Sequence, residues 1–546
     1  MKNQSALKAA VRELPAAASV VVKLSKEKRG PDSKCHRPFG KLLPVFYMGK
    51  QIPTPSPARK ISHRDDGLPV TGRKAPSGVG APPGFLETSQ SFPDSAVQKF
   101  ELPNGLRLLV KEDHRLPFVD FCVAFRGGLC AETPADKGLT QVMARMLLQG
   151  TATRSSKQVA EAIESVGGYI DVFDGYHSFG VTAEVLADDF ALGLGLVADV
   201  MRNPKFPAAA LERERAIQLA VIKDRRDDLS ALCAQLMLQK LFGDTGYGLD
   251  ALGSHASVCR LQTADLKAFH ARLVVPDNCV LAIYGDVKAG QVRTAVEQVF
   301  ANWQPSGAGS PLRAARTGAP DAPEVTRPTR VSETCDKKQV ILTLGFAGTT
   351  VFDADRYALE LLQQACTDSG SRLFARVREQ LGLAYSVGAQ HVPGLVGPGF
   401  FMFYASTAPE HAKRVEEEMW QEARLLGAEG LRAEELKRTK ALILGQQKIA
   451  RQELDELAEC DALEELYGLG YAHSDRRAAE YEAVTPERIQ AVAQKYLNPA
   501  SAVIAVISPA SRGVDSVSLG KTADRWAKPP DLWPSGGGRA AWVRSL

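Results

Sequence analysis

The chain contains two copies of one sequence pattern, and this repeat limits the possible folds more than any other feature. VDFCVAFRGG, which begins at Val119, matches VILTLGFAGT, which begins at Val340. TADLKAFHARLVVPDNCVLAIYGD, from Thr263, matches TPERIQAVAQKYLNPASAVIAVIS, from Thr485, at nearly the same offset. Each copy runs strand, helix, strand, long helices, helix, strand. The repeat therefore predicts two homologous α+β domains of about 200 residues, related by duplication.

Changes in composition mark the predicted domain boundaries. The N-terminal residues mix Lys, Arg, Pro, Ser and Gly without periodicity, which is typical of disorder. KFELPNGLRLLVKED, from Lys99, carries the Asn-Gly signal of a β-hairpin. A stretch rich in Pro, Gly and Ala later in the chain predicts a linker. The predicted segments are a basic tail at 1–95, a first domain at 96–304, the linker at 305–330, a second domain at 331–509 and a C-terminal tail at 510–546.

The basic charge of the chain is concentrated in its N-terminal tail. Residues 1–60 hold 13 Lys or Arg, whereas the whole chain has 67 Lys or Arg and 63 Asp or Glu. The remainder is mildly acidic, which argues against a nucleic-acid-binding body. No stretch reaches the roughly 20 consecutive apolar residues of a membrane-spanning helix. We therefore expect a soluble protein that binds no nucleic acid.

The first 25 residues allow two interpretations. Lys2, Lys8 and Arg12 precede AAASVVVKL, which resembles a signal for export to a bacterial periplasm or for targeting to an organelle. The apolar run is short and ends at Lys23, and a start codon assigned too far upstream explains it equally well. The compartment, and the presence of residues 1–95 in the mature protein, stay open.

Neither the cysteines nor the histidines have the spacing of a metal site. The nine cysteines are scattered, odd in number and never form C-x-x-C, which argues against a disulfide framework and a zinc ribbon. Cys122 and Cys279 lie in apolar runs and are predicted to be buried free thiols. The nine histidines show no i, i+3 or i+4 pairs. His177 and His270 are most simply residues at the surface or at the margin of the core.

The segment GLTQVMARMLLQGT predicts an amphipathic helix. Its apolar residues recur at helical spacing and should form a buried stripe. They are Leu139, Val142, Met143, Met146 and Leu147. Gln141, Ala144 and Arg145 share an adjacent face, which we expect to project away from the core at exposed positions.

This helix resembles the zinc helix of the pitrilysin/insulinase-type (inverzincin) metallopeptidase superfamily, written G-L-A-H-F-L-E-H-M-L-F-K-G-T. In its H-x-x-E-H motif two histidines bind zinc and the glutamate acts as general base. Gln141, Ala144 and Arg145 stand at those positions here. The family's further carboxylate ligand lies in E-R-x-V-I-L-x-E, which ERAIQLAV resembles with Val221 at the ligand position. The resemblance implies a degenerate zinc site, no cofactor in this chain and no activity of the chain alone.

A second motif of the same family is intact. SRLFARVREQLGLAYSVGAQ, from Ser371, resembles S-R-L-F-x-x-L-R-E-x-x-G-L-A-Y-S-V. Gly382 predicts the end of a helix, and Ala384 the start of a strand. The resemblance implies that Arg378 and Tyr385 hold the scissile carbonyl opposite the zinc helix. Residue type alone favours a helix C-terminal cation and a half-buried strand aromatic. The intact motif favours the catalytic role.

The resemblance covers about residues 97–509 and leaves two functions open. In the first, each domain is a mostly antiparallel sheet packed with helices, and the chain forms one half of a clamshell. It is then the non-zinc subunit of a heterodimeric metalloendopeptidase, and Arg378 and Tyr385 complete the site of a homologous zinc-bearing subunit that cleaves unfolded peptides. In the second, it is a structural or peptide-binding core-type subunit without a role in catalysis. A self-sufficient zinc peptidase would need a ligand set that the sequence does not show.

Overall fold

The computed structural model describes residues 96–305 and 325–510 of the 546-residue chain. The predicted N-terminal tail, most of the predicted linker and nearly all of the predicted C-terminal tail lie outside these residues. The domain boundaries given above therefore stay predictions.

The described residues form two sheets and the helices around them. The strands are β1 (Gln98–Glu101), β2 (Arg107–Glu112), β3 (Phe118–Arg126), β4 (Tyr169–Asp174), β5 (Ser178–Leu186), β6 (Cys279–Gly285), β7 (Thr329–Cys335), β8 (Val340–Ala347), β9 (Ala384–Val392), β10 (Phe400–Thr407) and β11 (Val503–Pro509). The α-helices are α1 (Leu139–Leu147), α2 (Ser156–Glu164), α3 (Phe190–Arg202), α4 (Ala208–Arg225), α5 (Leu229–Phe242), α6 (His255–Arg260), α7 (Thr263–Leu273), α8 (Ala289–Phe300), α9 (Asp355–Thr367), α10 (Ala412–Glu429), α11 (Ala433–Ala450), α12 (Leu454–Tyr467), α13 (His473–Ala483) and α14 (Pro486–Tyr496).

The first strands form the predicted hairpin. β1 pairs antiparallel with β2, and Gly105 in the turn has φ +88°, a left-handed conformation that glycine adopts without steric cost. The side-chain oxygen of Asn104 accepts a hydrogen bond from the backbone N–H of Leu106 at 3.2 Å. The Asn-Gly pair thus fixes the turn through backbone freedom and a local hydrogen bond.

The two sheets repeat one topology. The first has the order β1-β2-β6-β3-β5-β4 and the second the order β7-β11-β8-β10-β9. Apart from the extra strand β1, each position of one sheet has its counterpart in the other. The neighbours β2 and β6 are parallel, as are β7 and β11, and all other neighbours are antiparallel. This confirms the predicted α+β fold with two duplicated, mostly antiparallel sheets packed with helices.

Each sheet is covered on one face by helices of its own half and on the other by a helix from the opposite half. The helix α12, from the second half, packs on β3 and β6 of the first sheet. The Tyr284 hydroxyl on β6 donates to the Asp461 carboxylate on α12 at 2.7 Å. The hydroxyls of Ser178 and Tyr467 lie 2.8 Å apart at the same contact. These hydrogen bonds help to fix the position of α12 on the first sheet.

The reciprocal contact places α5, from the first half, on β8 and β11 of the second sheet. Cys233 and Met237 are fully buried there. Met237 occupies the space beside Gly345, where an added Cβ would lie 2.1 Å from the Met237 sulfur. The two halves therefore exchange helices, and a backbone without a side chain at Gly345 admits the exchanged helix.

Cys122 and Cys279 are buried free thiols, as predicted, and no disulfide joins the cysteines of the described residues. Within residues 96–305 and 325–510, every helix is too short or too polar to cross a membrane.

Candidate active site

The helix α1 begins at a fixed point because a buried carboxylate accepts its first N–H groups. Gly138 precedes the helix with φ +91°. The Glu132 carboxylate accepts hydrogen bonds from the N–H groups of Gly138 at 2.7 Å and Thr140 at 2.6 Å. Burial raises the pKa of Glu132 to about 8, although these hydrogen bonds oppose the rise. The predicted apolar stripe of α1 is buried along its whole length.

The adjacent face of α1 is not exposed, contrary to the expectation from the sequence. Gln141 is 7% exposed and Ala144 is 0% exposed, and only Arg145 is partly exposed. The helix lies between α4 and β4, which cover this face. The Gln141 side-chain oxygen is buried without a hydrogen-bond partner among the described residues. The residue types of Gln141 and Ala144 could not indicate this burial, because the elements that pack on the helix are distant in sequence.

Arg145 connects α1 to α4 through its guanidinium group. Its Nε lies 3.3 Å from a carboxylate oxygen of Glu214, and a second nitrogen donates to the side-chain oxygen of Gln218. The Gln149 amide also donates to Glu214, at 3.1 Å. Burial lowers the pKa of Arg145, while the nearby carboxylates of Glu214 and Asp174 oppose that shift. An ion pair with supporting hydrogen bonds therefore occupies this part of α1.

Asp174, at the end of β4, is the second carboxylate near Arg145. Burial raises its pKa to about 6, and Arg145 opposes the rise. The side chain of Gln218 is held in turn, because its amide donates to the carbonyl of Leu252 at 2.8 Å and of Gly138 at 3.3 Å. The surroundings of Arg145 thus combine an organised ion pair with a second carboxylate that titrates near neutral pH.

The residues at the four zinc-motif positions do not fit a zinc ion. Gln141 offers one amide oxygen, Ala144 offers no donor, and the guanidinium of Arg145 is cationic and paired with Glu214. Val221 is an exposed isopropyl group two turns beyond Glu214 on α4. A catalytic zinc site needs three protein ligands of the His, Cys or carboxylate type. This donor set therefore supports no step that runs through a metal.

One other group of possible ligands occurs among the described residues. Cys460, Asp461 and Glu464 on α12 have ligand atoms within 4.8 Å of one another. Asp461 accepts the Tyr284 hydroxyl, and Glu464 accepts from the backbone and the hydroxyl of Ser474. These hydrogen bonds explain the group as part of the contact between α12 and its neighbours.

The two histidines singled out from the sequence take part in packing. The ring of His177 contacts the Tyr247 hydroxyl, and burial lowers the pKa of His177 to about 3. His270 Nε2 lies 2.6 Å from the carbonyl oxygen of Met201. Both side chains thus lie at the margin of the core, away from any group of metal ligands among the described residues.

The second motif forms a π-helix rather than an α-helix, over Phe374–Gln380. The helix ends before Gly382, whose φ is +63°, and β9 begins at Ala384, which confirms the predicted boundaries. The N–H of Leu381 donates to a carbonyl five residues earlier. π-Helical turns are often associated with functional sites, because the wider turn changes where side chains point.

Arg378 is exposed and has no acidic partner among the described residues. The two earlier arginines of the motif form ion pairs: Arg372 lies 2.7 Å from Glu422, and Arg376 pairs with Glu418. The Arg378 guanidinium instead lies over the ring of Phe374, 4.9 Å from its centroid. Its N–H donors remain accessible to a ligand.

Tyr385 stands at an irregularity of the sheet. Ala384 pairs with Thr407 and Ser386 pairs with Ser406, so Tyr385 is the extra residue of a β-bulge. Its side chain is 58% exposed, rather than half-buried in the sheet. Bulges redirect side chains, and here the phenol faces solvent. Arg378 and Tyr385 therefore lie on either side of one turn, with hydrogen-bond donors that are accessible to a ligand. No described hydrogen bond or ion pair joins them to Arg145.

Glu214 and Gln218 belong to this site but were not predicted from the sequence. The segment ERAIQLAV drew attention to Val221 alone, as the position of a lost ligand. The available signal was the spacing, because Glu214, Gln218 and Val221 follow at intervals of four and three and so share one face of α4.

Two family models match the chain. Residues 107–255 match the model described as insulinase (peptidase family M16), and residues 260–443 match the model described as peptidase M16 inactive domain. The first match covers β2 to β5 of the first sheet, and the second covers β6 of the first sheet and β7 to β10 of the second.

Curated bacterial proteins are similar to much of the chain. An uncharacterized zinc protease of Streptomyces coelicolor is 28% identical over 432 residues, which cover 77% of this chain and 93% of that protein. An uncharacterized zinc protease of Mycobacterium bovis is 32% identical over 316 residues, which cover 58% of this chain and 71% of that protein.

Solved structures share the fold. The peptidase M16 inactive domain from Pseudomonas fluorescens has a TM-score of 0.70 at 23% identity, covering 76% of this chain and 98% of that chain. A protease from Helicobacter pylori has a TM-score of 0.71 at 15% identity, covering 76% of this chain and 100% of that chain. At these identities the likeness establishes the fold alone.

Proposed function

The chain belongs to the M16 (insulinase) family of peptidases, and we propose that within this family it is the non-zinc subunit of a heterodimeric peptidase. A homologous partner carries the zinc, and this chain supplies Arg378 and Tyr385 to the partner's site. The observation that carries the proposal is the contrast between the two motifs. In the first motif an ion pair between Arg145 and Glu214 occupies the position of the zinc ligands. In the second, the guanidinium of Arg378 and the phenol of Tyr385 are accessible as hydrogen-bond donors.

The closed state of the first motif follows from the contacts of Arg145. Its guanidinium is bound by Glu214 and Gln218, and it brings a permanent positive charge to the helix face that binds a dication in the zinc motif. Ala144 leaves no carboxylate that could accept a proton from a water molecule. The chain should therefore contain no catalytic zinc and should cleave no peptide alone.

The open state of the second motif fits a role in stabilising charge. A guanidinium and a phenol can both donate to one carbonyl oxygen and stabilise the negative charge that develops on it during hydrolysis. Arg378 has no competing carboxylate among the described residues, and Tyr385 faces solvent from its bulge. Both groups are therefore available to a peptide held by a partner subunit.

A structural or peptide-binding subunit without catalysis is the second candidate, and one observation favours it. Among the described residues β4 pairs only with β5, so its other edge has no partner strand there. An extended peptide can add to such an edge through backbone hydrogen bonds. In this case Arg378 and Tyr385 would have no role in turnover.

One variant separates the two candidates. Arg378→Ala, assayed in a pair reconstituted with a zinc-bearing homologue, should lower kcat by about 100-fold, the usual effect of removing a donor to the developing oxyanion. Tyr385→Phe should lower it in the same way, since only the hydroxyl is lost. Arg424→Ala is the matched control, because Arg424 is exposed on α10. Full activity of the Arg378→Ala pair would establish the non-catalytic alternative.

Metal analysis tests the remaining part of the proposal. The purified chain should contain far less than one equivalent of zinc. Stoichiometric zinc that a chelator removes together with peptidase activity would show that this chain is itself the catalyst. Export or organelle targeting by the N-terminal segment belongs to the same proposal, and sequencing the mature N-terminus tests it.

A further inference from the structure

Phe374 presents an aromatic ring to the guanidinium of Arg378. It is the first residue of the π-helix, and it packs partly buried against the hydrophobic core of the second half. Arg378 follows four residues later, about one helical turn, so the two side chains lie on the same side of the helix. The guanidinium carbon lies 4.9 Å from the centroid of the ring. This distance is within the range of a cation–π interaction.

The opposite side of the motif helix is held by ion pairs. Arg372 precedes Phe374 by two residues and lies 2.7 Å from Glu422 on α10. Arg376 follows Phe374 by two residues and pairs with Glu418 on the same helix. Two residues correspond to about half a helical turn, so these ion pairs face away from the ring. Both carboxylates are almost completely buried, and buried ion pairs of this kind fix the position of the helix that carries Phe374.

The kind of contact decides whether the donors of an arginine stay accessible. A carboxylate accepts the N–H groups of a guanidinium, as in the ion pairs of Arg372 and Arg376, and so occupies these donors. An aromatic ring attracts the same cation through the negative charge of its face. It accepts none of the donors that project from the edge of the guanidinium plane. The ring of Phe374 therefore restrains Arg378 and leaves its N–H groups accessible to a peptide.

We propose that Phe374 is a positioning residue, whose ring keeps the Arg378 guanidinium where the carbonyl oxygen of a bound peptide acquires negative charge. The inference rests on the proposed function, because it assumes that Arg378 stabilises this charge. Arg378 is exposed, and an exposed arginine without such a contact loses more conformational freedom when it binds. A donor that is placed in advance avoids this cost during the reaction.

The contact itself is tested in the full chain without a partner subunit. In a chain that contains isotope-labelled arginine, the Nε–H signal of Arg378 is assigned by its loss in Arg378→Lys. The ring current of Phe374 should shift this signal upfield of the signals of other exposed arginines. Phe374→Leu should remove the upfield shift, because the side chain stays apolar but the ring is lost. This measurement depends neither on zinc nor on turnover.

The role in catalysis is tested in the pair reconstituted with a zinc-bearing homologue. Phe374→Leu should lower kcat by about two- to fivefold and leave KM unchanged, as expected for the loss of an exposed cation–π contact that acts in the transition state. Phe374→Tyr should keep kcat, because it keeps an aromatic ring. Phenylalanines with one, two and three ring fluorines at position 374 should lower kcat stepwise, since each fluorine weakens the negative charge of the ring face. These analogues keep the size of the ring and test the inference even if Phe374→Leu does not fold.

A double variant and a matched control separate this role from packing. In the Arg378→Ala background, Phe374→Leu should have no further effect on kcat, because the ring acts through the guanidinium. Phe100→Leu is the matched control, since Phe100 is also partly buried and lies under Arg293 at 5.4 Å, but on β1 of the first sheet. It should leave kcat unchanged.

Three results would overturn the inference. They are an Arg378 signal that Phe374→Leu does not move, a kcat that stays constant through the fluorinated series, and independent effects of Phe374→Leu and Arg378→Ala in the double variant. Each leaves the proposed function intact as long as Arg378→Ala alone lowers kcat. Full activity of the Arg378→Ala pair would instead remove the proposed function and this inference together.

Discussion

Asp120 is a carboxylate buried where no hydrogen-bond donor meets it, and this makes stability depend on pH. The residue is 2% exposed, and both its carboxylate oxygens lack a partner among the described residues. It lies directly opposite Glu184 in the pairing of β3 with β5, and α12 brings Asp455 to the same place. Burial first, and then the charges of Glu184 and Asp455, raise the pKa of Asp120 to about 8.

The sign of the effect follows from the direction of the shift. The unfolded chain releases the Asp120 proton near pH 4, whereas the native chain keeps it until about pH 8. Stability should therefore fall as pH rises through this window, because the unfolded state binds fewer protons there. At about 1.4 kcal/mol per pKa unit, the shift of Asp120 from 3.8 to about 8 sets a ceiling of about 6 kcal/mol. Water entry and side-chain rotation reduce this, so we expect at least about 2 kcal/mol.

The perturbation is Asp120→Asn, which keeps the shape, stays neutral at every pH and can donate to Glu184. Urea unfolding at pH 5, 7 and 9, followed by the fluorescence of the buried Trp303 and Trp420, measures the free energy of unfolding. At pH 5 the advantage of the variant should stay below about 2 kcal/mol, since both native side chains are neutral and Asp120 is ionised only in the unfolded chain. At pH 9 the advantage should be larger than at pH 5 by at least about 2 kcal/mol.

The matched control is Asp171→Asn, at an exposed position of β4. It should change the free energy of unfolding equally, and by little, at all three pH values. A difference between Asp120→Asn and wild type that is the same at pH 5 and pH 9 would refute the reasoning, because it would mean that Asp120 is already ionised in the native chain at pH 5.

Two further predictions concern the contacts between helices and sheets. Arg145→Leu should lower the free energy of unfolding by about 2 kcal/mol, because the largely buried Glu214 carboxylate loses its cation, and adding Glu214→Gln should restore part of the loss in urea unfolding. Gly345→Ala should lower the free energy of unfolding by about 1–3 kcal/mol, since the added Cβ would overlap the Met237 sulfur. Adding Met237→Ala should recover part of this loss, and a double variant that recovers none would show that α5 does not pack against Gly345.

Local signals in the sequence predicted the elements well. The Asn-Gly pair gave the hairpin of β1 and β2, and the apolar spacing of α1 gave its buried stripe, because turn chemistry and helical periodicity depend on neighbouring residues alone. The boundaries at Gly382 and Ala384 were right for the same reason, although the helix before them is a π-helix. Helix type depends on which carbonyl each N–H meets, and residue spacing does not record this.

The exchange of α5 and α12 between the halves could not be read from the sequence. Apart from Asp120, the central residues of β3 are apolar on both faces, as the buried Cys122 and Phe121 show. Such a strand predicts that both faces are covered. It does not identify the covering element, which here lies more than 300 residues away. The same limit explains the wrong expectation for Gln141 and Ala144, which α4 and β4 cover.

The charges around Arg145 explain why Glu214 remains in this site. The zinc motif that α1 resembles combines a dication with carboxylates at the positions of Ala144 and Val221. This chain has Ala144 and Val221 at those positions and offers one guanidinium, so Arg145 is the counter-charge of Glu214. Ala144→Glu alone would add a third carboxylate, after Glu214 and Asp174, at a fully buried position beside a single cation. Reverting Arg145 alone would leave Glu214 without a permanent partner. The residues at positions 141, 144, 145 and 221 are therefore linked through charge. For this reason the proposed absence of zinc depends on the whole site and not on one missing ligand.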